Sequence, residues 1–187
     1  MVKSADQSGV YTVQNSSSKK GLTLALVTAC GLAGCSTRQS PAPEIPTASA
    51  TDINCMARAM FFESNRSSRD GMIAVGTVVM NRVRSEEFPN TVCAVVGQKN
   101  QFAPGVLTKP LSGQGTALAE ASASAVLAGE RHPNVVRARF FHAAWFDANF
   151  NNIHYVLTAG GNAFYEKRRP ENVTTPNPLP PTEGITG

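Results

Sequence analysis

A single carboxylate, Glu63, ends an otherwise apolar stretch, and its position suggests the first chemistry that this sequence allows. Apolar residues recur before it at helical spacing, at Ile53, Met56, Ala57 and Met60. Continuing this spacing by one turn places position 63 on the same buried face. A carboxyl group in apolar surroundings loses stabilisation of its charged form, so its pKa rises and it can hold a proton near neutral pH. The pattern indicates a general acid, although a solvated carboxylate at a helix end is the alternative.

An acid of this kind suits the cleavage of a glycosidic bond, where it protonates the departing oxygen. A second carboxylate usually acts at the oxocarbenium-like centre, but none of the candidates stands on an evidently apolar face: Asp70, Glu86, Glu87, Glu120, Glu130, Asp147 and Glu166. Peptidoglycan offers a route that needs only one glutamate. The C6 hydroxyl of N-acetylmuramic acid attacks its own anomeric carbon and gives a 1,6-anhydro sugar, while the glutamate acts as acid and then as base.

Three helices and a late sheet are predicted to position Glu63. Thr51 or Asp52 is expected to cap the first helix, the second runs from about Arg69 to Arg84, and the third covers GTALAEASASAVLAG, with Gly129 as its stop. Short aromatic and β-branched stretches then predict antiparallel strands in VVRARFFHAAWF, IHYVL and NAFYEKR. Helices first and strands later predict a segregated α+β domain.

The first part of the chain carries the signals of export. Lys19 and Lys20 precede GLTLALVTACGLAGC, an apolar run that ends in small residues, as a secretory leader does. Its LAGC resembles the lipobox of bacterial lipoproteins, which predicts a signal peptide over residues 1–34 and acylation of Cys35. Because Ser36 follows, we expect the periplasmic side of the outer membrane. The alternative is a buried apolar segment with a chance cysteine.

The rest of the chain divides by composition. Residues 35–50 are expected to comprise the lipidated cysteine and a flexible tether, residues 51–169 one catalytic domain, and residues 170–187 a Pro-rich tail of similar tether-like composition. The formal net charge is +4, and without residues 1–34 it is +2, a mild excess that suits an anionic polymer such as cell wall. Clustered basic residues with interleaved aromatics are missing, so we expect no nucleic-acid partner.

Two cysteines remain in the domain. In an oxidising compartment Cys55 and Cys93 are expected to pair and to close a loop of about 38 residues, worth roughly 3–4 kcal/mol, with two free buried thiols as the alternative. The three histidines lack the spacing of a zinc site, and the two cysteines have no CxxC partner. We therefore expect no metal and no cofactor.

The run from Cys55 to Phe102 resembles the cell wall hydrolase family typified by the spore-cortex-lytic enzyme SleB. The matching residues form three ordered groups: Phe61, Phe62 and Glu63; then Gly71, Ala74, Val75, Val78, Asn81, Arg82 and Val83; then Phe88, Pro89, Val92, Cys93, Val95, Val96, Gln101 and Phe102. The match is partial over residues 138–168, where Ala144 replaces a typical proline and Asn162 a typical histidine.

The resemblance implies a lysozyme-like α+β domain that cleaves between N-acetylmuramic acid and N-acetylglucosamine, with Glu63 as the catalytic residue. Six residues are substrate-binding candidates, each with a structural role as its alternative: Asn81, Gln101, Phe102, His142, Trp145 and Tyr165. We therefore expect a lytic transglycosylase of the envelope that binds peptidoglycan and, through Cys35, the membrane. Plain hydrolysis of the same bond and a non-catalytic wall-binding lipoprotein are the alternatives. A regulatory protein partner is compatible with this hypothesis, but no residue identifies one.

Overall fold

The computed structural model describes residues 48–187, so the predicted leader, Cys35 and most of the tether lie outside the described residues. Four helices come first: α1 (Ala50–Glu63), α2 (Arg69–Val83), α3 (Val92–Val96) and α4 (Thr116–Leu127). Three strands follow, β1 (Phe140–Ala143), β2 (Ile153–Ala159) and β3 (Asn162–Lys167). This order confirms the predicted α+β class. Within residues 48–187, no helix has the length and apolar character needed to cross a membrane.

The helix that carries Glu63 begins earlier than predicted. Ser49, and neither Thr51 nor Asp52, caps α1, because its hydroxyl accepts a hydrogen bond from the backbone N–H of Asp52. Ser68 caps α2 in the same way through Gly71, and α2 matches its predicted span closely. The short helix α3 was not predicted, since five residues are too few to show a helical period.

The helices form one apolar layer around α1, which contacts α2, α3 and α4. Met56, Met60 and Met72 are fully buried in this layer. A disulfide joins Cys55 on α1 to Cys93 on α3, with the two Cα atoms 5.2 Å apart. Because the bond closes 38 residues, the chain-entropy argument assigns it about 3–4 kcal/mol of stability. It fixes α3, and the loop that follows α3, against the helix that ends at Glu63.

The strands form one antiparallel sheet in the order β1-β3-β2. Successive side chains of a strand point to opposite faces, so Phe164 and Tyr165 on β3 lie on opposite faces of this sheet. Phe164 packs in the helical core with Leu157, whereas Tyr165 packs against a small second cluster around Ile153 and Tyr155. The sheet therefore closes the main core with one face and offers a second, aromatic face.

The Pro-rich tail docks on the domain, which its tether-like composition did not indicate. We call residues 174–186 the C-terminal strap. The backbone N–H of Tyr155 donates to the carbonyl of Thr175 at 3.0 Å, and the N–H of Thr182 donates to the carbonyl of Thr158 at 2.8 Å. The strap thus runs beside β2. The predicted boundary at residue 169 remains a prediction.

Two carboxylates hold the far end of the strap. Glu183 accepts from the Ser68 hydroxyl at 2.6 Å and from the Gly160 N–H at 2.8 Å. Asp70 accepts from the backbone N–H groups of residues 184–186. Burial would raise the pKa of Asp70, but these backbone hydrogen bonds and the nearby Thr186 hydroxyl outweigh it and lower the pKa. Composition does not show such docking, because it depends on carboxylates and backbone donors that are distant in the sequence.

Two backbones touch where α2 begins and β2 turns into β3. A Cβ on Gly71 would lie 2.4 Å from the Gly160 Cα and 2.3 Å from the Ser64 Oγ. No side chain fits between these backbones, so Gly71 sets the distance between the helical layer and the sheet. Ser64 directly follows Glu63, and this contact therefore also fixes the end of α1.

We expect Gly71→Ala to lower the free energy of unfolding by about 1–3 kcal/mol, because backbone atoms cannot move aside as a side chain can. Gly76→Ala in the same helix is the matched control, since its Cβ would meet the flexible Met60 methyl group at 2.3 Å. Urea denaturation of the two variants tests the difference. An equal loss of stability in both would contradict the proposed backbone contact.

Candidate active site

Glu63 is half-buried at the last position of α1. The backbone N–H of Ala103, in the loop after α3, donates to its Oε1. The Asn162 side chain, at the start of β3, donates from Nδ2 to the Glu63 main-chain carbonyl at 2.6 Å. The residue is therefore held from two sides, its carboxyl by a loop and its backbone by the sheet. As the helical spacing predicted, the side chain is partly buried and does not extend into solvent.

The pKa of Glu63 is raised above its ordinary value. Burial is the largest influence, because it removes the water that stabilises the charged form. The Ala103 hydrogen bond and the positive charge of Arg82 both act in the opposite direction without cancelling it. The direction of this shift is the one that a general acid requires.

Arg82 brings a buried cation close to the acid. Only 3% of this residue is exposed, and its guanidinium lies 5.2, 5.5 and 5.9 Å from the ring centres of Phe88, Phe102 and Phe140. Its Nε donates to the Arg139 carbonyl at 2.7 Å. Burial lowers the pKa of Arg82 to about 10, against the opposing effect of Tyr165 and Glu63. Because this value lies well above neutral pH, Arg82 keeps its charge in the buried site.

Most of the possible second carboxylates are engaged elsewhere. Asp70 holds the C-terminal strap, and three others form ion pairs: Glu130 with Arg69, Glu87 with Arg139, and Glu166 with Arg168. Glu86, Glu120 and Asp147 are exposed. Within residues 48–187, no carboxylate is among the groups that shift the pKa of Glu63. The described part of the chain thus places one carboxyl group, and not a pair, at this site.

Three of the predicted substrate-binding residues come from α2 and the loop after α3. Asn81 donates from its side chain to the carbonyls of Val136 at 3.1 Å and Ala138 at 2.9 Å, so its amide hydrogens hold the chain that enters β1. Phe102 is 8% exposed and packs in the core, which leaves little of its ring for a sugar. Gln101, in contrast, is exposed beside it.

The other three predicted residues lie on or next to the sheet. Tyr165 stacks on Phe140 with ring centres 5.6 Å apart, and burial is the main cause of its raised pKa. His142 has both ring nitrogens engaged, Nδ1 with the Ala143 carbonyl at 2.9 Å and Nε2 with the Tyr155 hydroxyl at 2.7 Å. In the neutral ring Nδ1 therefore carries the proton, because a carbonyl only accepts. Trp145 is 85% exposed and does not belong to the core.

Sequence reasoning did not connect Glu63 with three groups that contact or influence it. The Ala103 N–H is a backbone donor, which no residue pattern reveals. Arg82 was noted beside Asn81, but its burial could not be foreseen because arginine is normally exposed. Asn162 stands where the family resemblance leads one to expect a histidine, and this departure is the only feature of the sequence that points to it. Within residues 48–187 no cluster of three His, Cys, Asp or Glu side chains could hold a metal ion.

Comparison with known proteins yields one family and a consistent set of relatives. Residues 66–165 match the family described as Cell Wall Hydrolase. The spore cortex-lytic enzyme of Bacillus cereus is 41% identical over 66 residues, which are 35% of this chain and 24% of that protein. The enzyme of the same name from Oceanobacillus iheyensis is 34% identical over 85 residues, 45% of this chain and 29% of that protein. The chain thus spans about a quarter of the length of these curated relatives.

Two solved structures resemble this domain. The catalytic domain of the germination-specific lytic transglycosylase SleB from Bacillus anthracis superposes with a TM-score of 0.54 at 25% identity, covering 65% of this chain and 98% of that chain. The catalytic domain of the Bacillus cereus SleB protein gives a TM-score of 0.54 at 26% identity, covering 63% of this chain and 91% of that chain. These likenesses confirm the lysozyme-like α+β fold. Glu63 lies three residues before the family match begins, so its role rests on its own geometry.

The raised pKa of Glu63 makes stability depend on pH in a defined direction. The carboxyl group contributes most stability below its ordinary pKa of 4.5, and this contribution is lost as the pH rises through the raised folded-state pKa. We therefore expect Glu63→Gln to become more stable relative to the wild type as the pH rises from about 4 to about 8. Urea denaturation at several pH values measures the difference.

Glu120→Gln on the exposed side of α4 is the control, because it removes the same charge without removing a half-buried carboxyl group. A stability of Glu63→Gln relative to the wild type that stays constant, or falls, as the pH rises would contradict the raised pKa.

Proposed function

Because the chain belongs to the cell wall hydrolase family, we propose that it cleaves the glycan of peptidoglycan as a lytic transglycosylase, with Glu63 as its acid and base. The observation that carries this proposal is the half-buried Glu63 carboxyl, whose pKa is raised and which has no carboxylate partner among the described residues. The names of the structural neighbours, one of them a lytic transglycosylase, support the same activity.

The proposed reaction proceeds in two proton transfers. The Ala103 N–H donates to Oε1, so the protonated carboxyl carries its hydrogen on Oε2 and donates it to the oxygen that links N-acetylmuramic acid to N-acetylglucosamine. As this bond breaks, the C6 hydroxyl of the muramic acid forms a bond to its own anomeric carbon. The Glu63 carboxylate accepts the hydroxyl proton, which restores the acid. The products are a 1,6-anhydromuramic end and a free 4-hydroxyl on the leaving sugar.

The surroundings of Glu63 support both protonation states. Burial favours the neutral acid before the reaction, whereas Arg82 and the Ala103 N–H stabilise the carboxylate that forms as the bond breaks. Asn162 acts as a positioning residue, because it holds the Glu63 backbone and not its carboxyl. The loop of residues 96–108, which includes Ala103, lines a depression of about 510 Å³. We assign this depression to the glycan that approaches the acid.

The test is mass spectrometry of the soluble products after incubation of the protein with purified peptidoglycan. We expect anhydromuramyl products from the wild type, and a loss of about 100-fold or more in Glu63→Gln, since a positioned general acid typically contributes that much. Glu120→Gln is the control, because it makes the same substitution at an exposed carboxylate of α4, away from Glu63.

Products with reducing ends would instead indicate hydrolysis, in which water replaces the C6 hydroxyl. An absence of products from the wild type would favour the wall-binding lipoprotein. Equal activity of the wild type and Glu63→Gln would contradict the role of the acid.

We further propose that the protein is a lipoprotein anchored through Cys35 on the periplasmic side of the outer membrane. The lipobox-like LAGC and the bonded Cys55 and Cys93, which suit an oxidising compartment, support this location. The tether of residues 36–50, when extended, would reach roughly 50 Å from the membrane. A domain on such a tether can contact the wall.

We expect Cys35→Ser to abolish labelling by a fatty-acid analogue and to move the protein out of the membrane fraction. Cys30→Ser is the matched control, because that cysteine also lies in the apolar run but before the proposed cleavage point. Labelling that persists in Cys35→Ser, or is lost in Cys30→Ser, would contradict the assignment of the acylated residue.

A further inference from the structure

A surface depression of about 740 Å³ lies apart from the loop of residues 96–108. Residues 144–151, which follow β1, form one of its walls, and residues 176–178 of the C-terminal strap form another. Tyr155 on β2 also lines it. This depression is larger than the one beside Ala103, and neither the acid nor its polar contacts line it.

The wall that follows β1 exposes three aromatic rings. Trp145 is 85% exposed, Phe146 48% and Phe150 68%. Soluble proteins seldom leave several large rings on one short segment in water unless the surface binds something. The flat faces of aromatic rings pack against the apolar faces of sugar rings, and they are rigid enough to do so at small entropic cost.

The polar groups of the depression are mostly uncharged. Asn149, Asn151 and Asn177 line it with exposed side chains, and each amide offers both donors and an acceptor. Asp147 is the single charged residue in the lining. A lining of amides without a basic side chain does not suit an anionic peptide. It suits a neutral ligand with hydroxyl and N-acetyl groups, that is, an N-acetylated sugar.

The strap gives this depression a fixed wall. Residues 176–178 read Pro-Asn-Pro, and the two proline rings limit the conformations open to the backbone around Asn177. The hydrogen bonds of Thr175 to Tyr155 and of Thr182 to Thr158 hold this stretch against β2 from both sides. The strap lies beyond the family match, which ends at residue 165. The wall thus lies outside the residues matched to the family.

The sheet connects the depression to Glu63. Ala143, the last residue of β1, pairs with Asn162, whose side chain holds the Glu63 backbone. The depression begins at the next residue, Ala144, whose N–H donates to the Gly161 carbonyl at 2.8 Å. A polymer bound at Glu63 therefore reaches the depression by crossing one end of the sheet.

We propose that this depression is a glycan-binding subsite, walled by the C-terminal strap, that takes N-acetylated sugar units of the same strand away from the bond that is cleaved. This inference rests on the proposed function, because it assigns the subsite to the substrate of Glu63. Trp145 supplies the stacking surface, and Asn177 supplies an amide from the strap. One glycan strand is thus held at two places, at Glu63 beside the loop of residues 96–108 and in the depression walled by the C-terminal strap.

Binding measured without cleavage tests the subsite. The full chain carrying Glu63→Gln is combined with Trp145→Ala or with Asn177→Ala, and each protein is titrated with tetra-N-acetylchitotetraose and sedimented with purified peptidoglycan sacculi. We expect about tenfold weaker binding of both ligands with Trp145→Ala, and about threefold weaker binding with Asn177→Ala. Val136→Ala is the matched control, since Val136 is 63% exposed and lies outside the depression.

Unchanged binding in either subsite variant, or an equal loss in Val136→Ala, would overturn the proposal. Binding lost for sacculi but kept for the chitotetraose would also overturn it, because the ligand would then be a stem peptide. Thermal unfolding of each variant checks that these exposed substitutions leave the fold intact. A wild type that releases no products while the subsite variants lose binding would reject the proposed catalysis and still support the subsite.

Discussion

The site depends on a carboxyl group that is kept partly out of water at the meeting point of a helix, a loop and a sheet. Glu63 ends α1, its carboxyl receives a hydrogen bond from the loop after α3, and its backbone receives one from β3. Each of these elements is fixed independently, α3 by the Cys55–Cys93 bond and the sheet by the contact of Gly71 with Gly160. The geometry of the acid is thus set by backbone atoms and covalent constraints, which vary less than side-chain rotamers do.

Arg82 limits how far burial can shift the acid. A fully buried carboxyl with no cation nearby would hold its proton too strongly to return as a base, whereas a cation in direct contact would keep it ionised. Arg82 lies between these extremes, since its charge opposes the effect of burial without reversing it. Three phenylalanine rings surround its guanidinium, and this cation–π packing offsets part of the cost of burying the charge.

The sequence predicted those features that depend on short-range pattern. The spans of α2 and α4, the position of the strands after the helices and the inward position of Glu63 all follow from periodicity and turn residues. It failed where a distant partner decides the outcome. The burial of Arg82, the bond from Asn162 and the docking of the strap each join residues more than 50 positions apart. A helical or strand period says nothing about such pairs.

The opposite pKa shifts of Glu63 and Asp70 allow catalysis and strap docking to coexist. Burial dominates at Glu63 and raises its pKa, whereas hydrogen bonds from the strap dominate at Asp70 and lower its pKa. The stability that Asp70 contributes is therefore present above its ordinary pKa and is lost only as the pH falls through the lowered value. Consequently, in the range where Glu63 still holds its proton, Asp70 is already ionised and keeps residues 184–186 in place. Two carboxyl groups in one small domain can thus act in different protonation states, because one faces apolar side chains and the other faces backbone N–H groups.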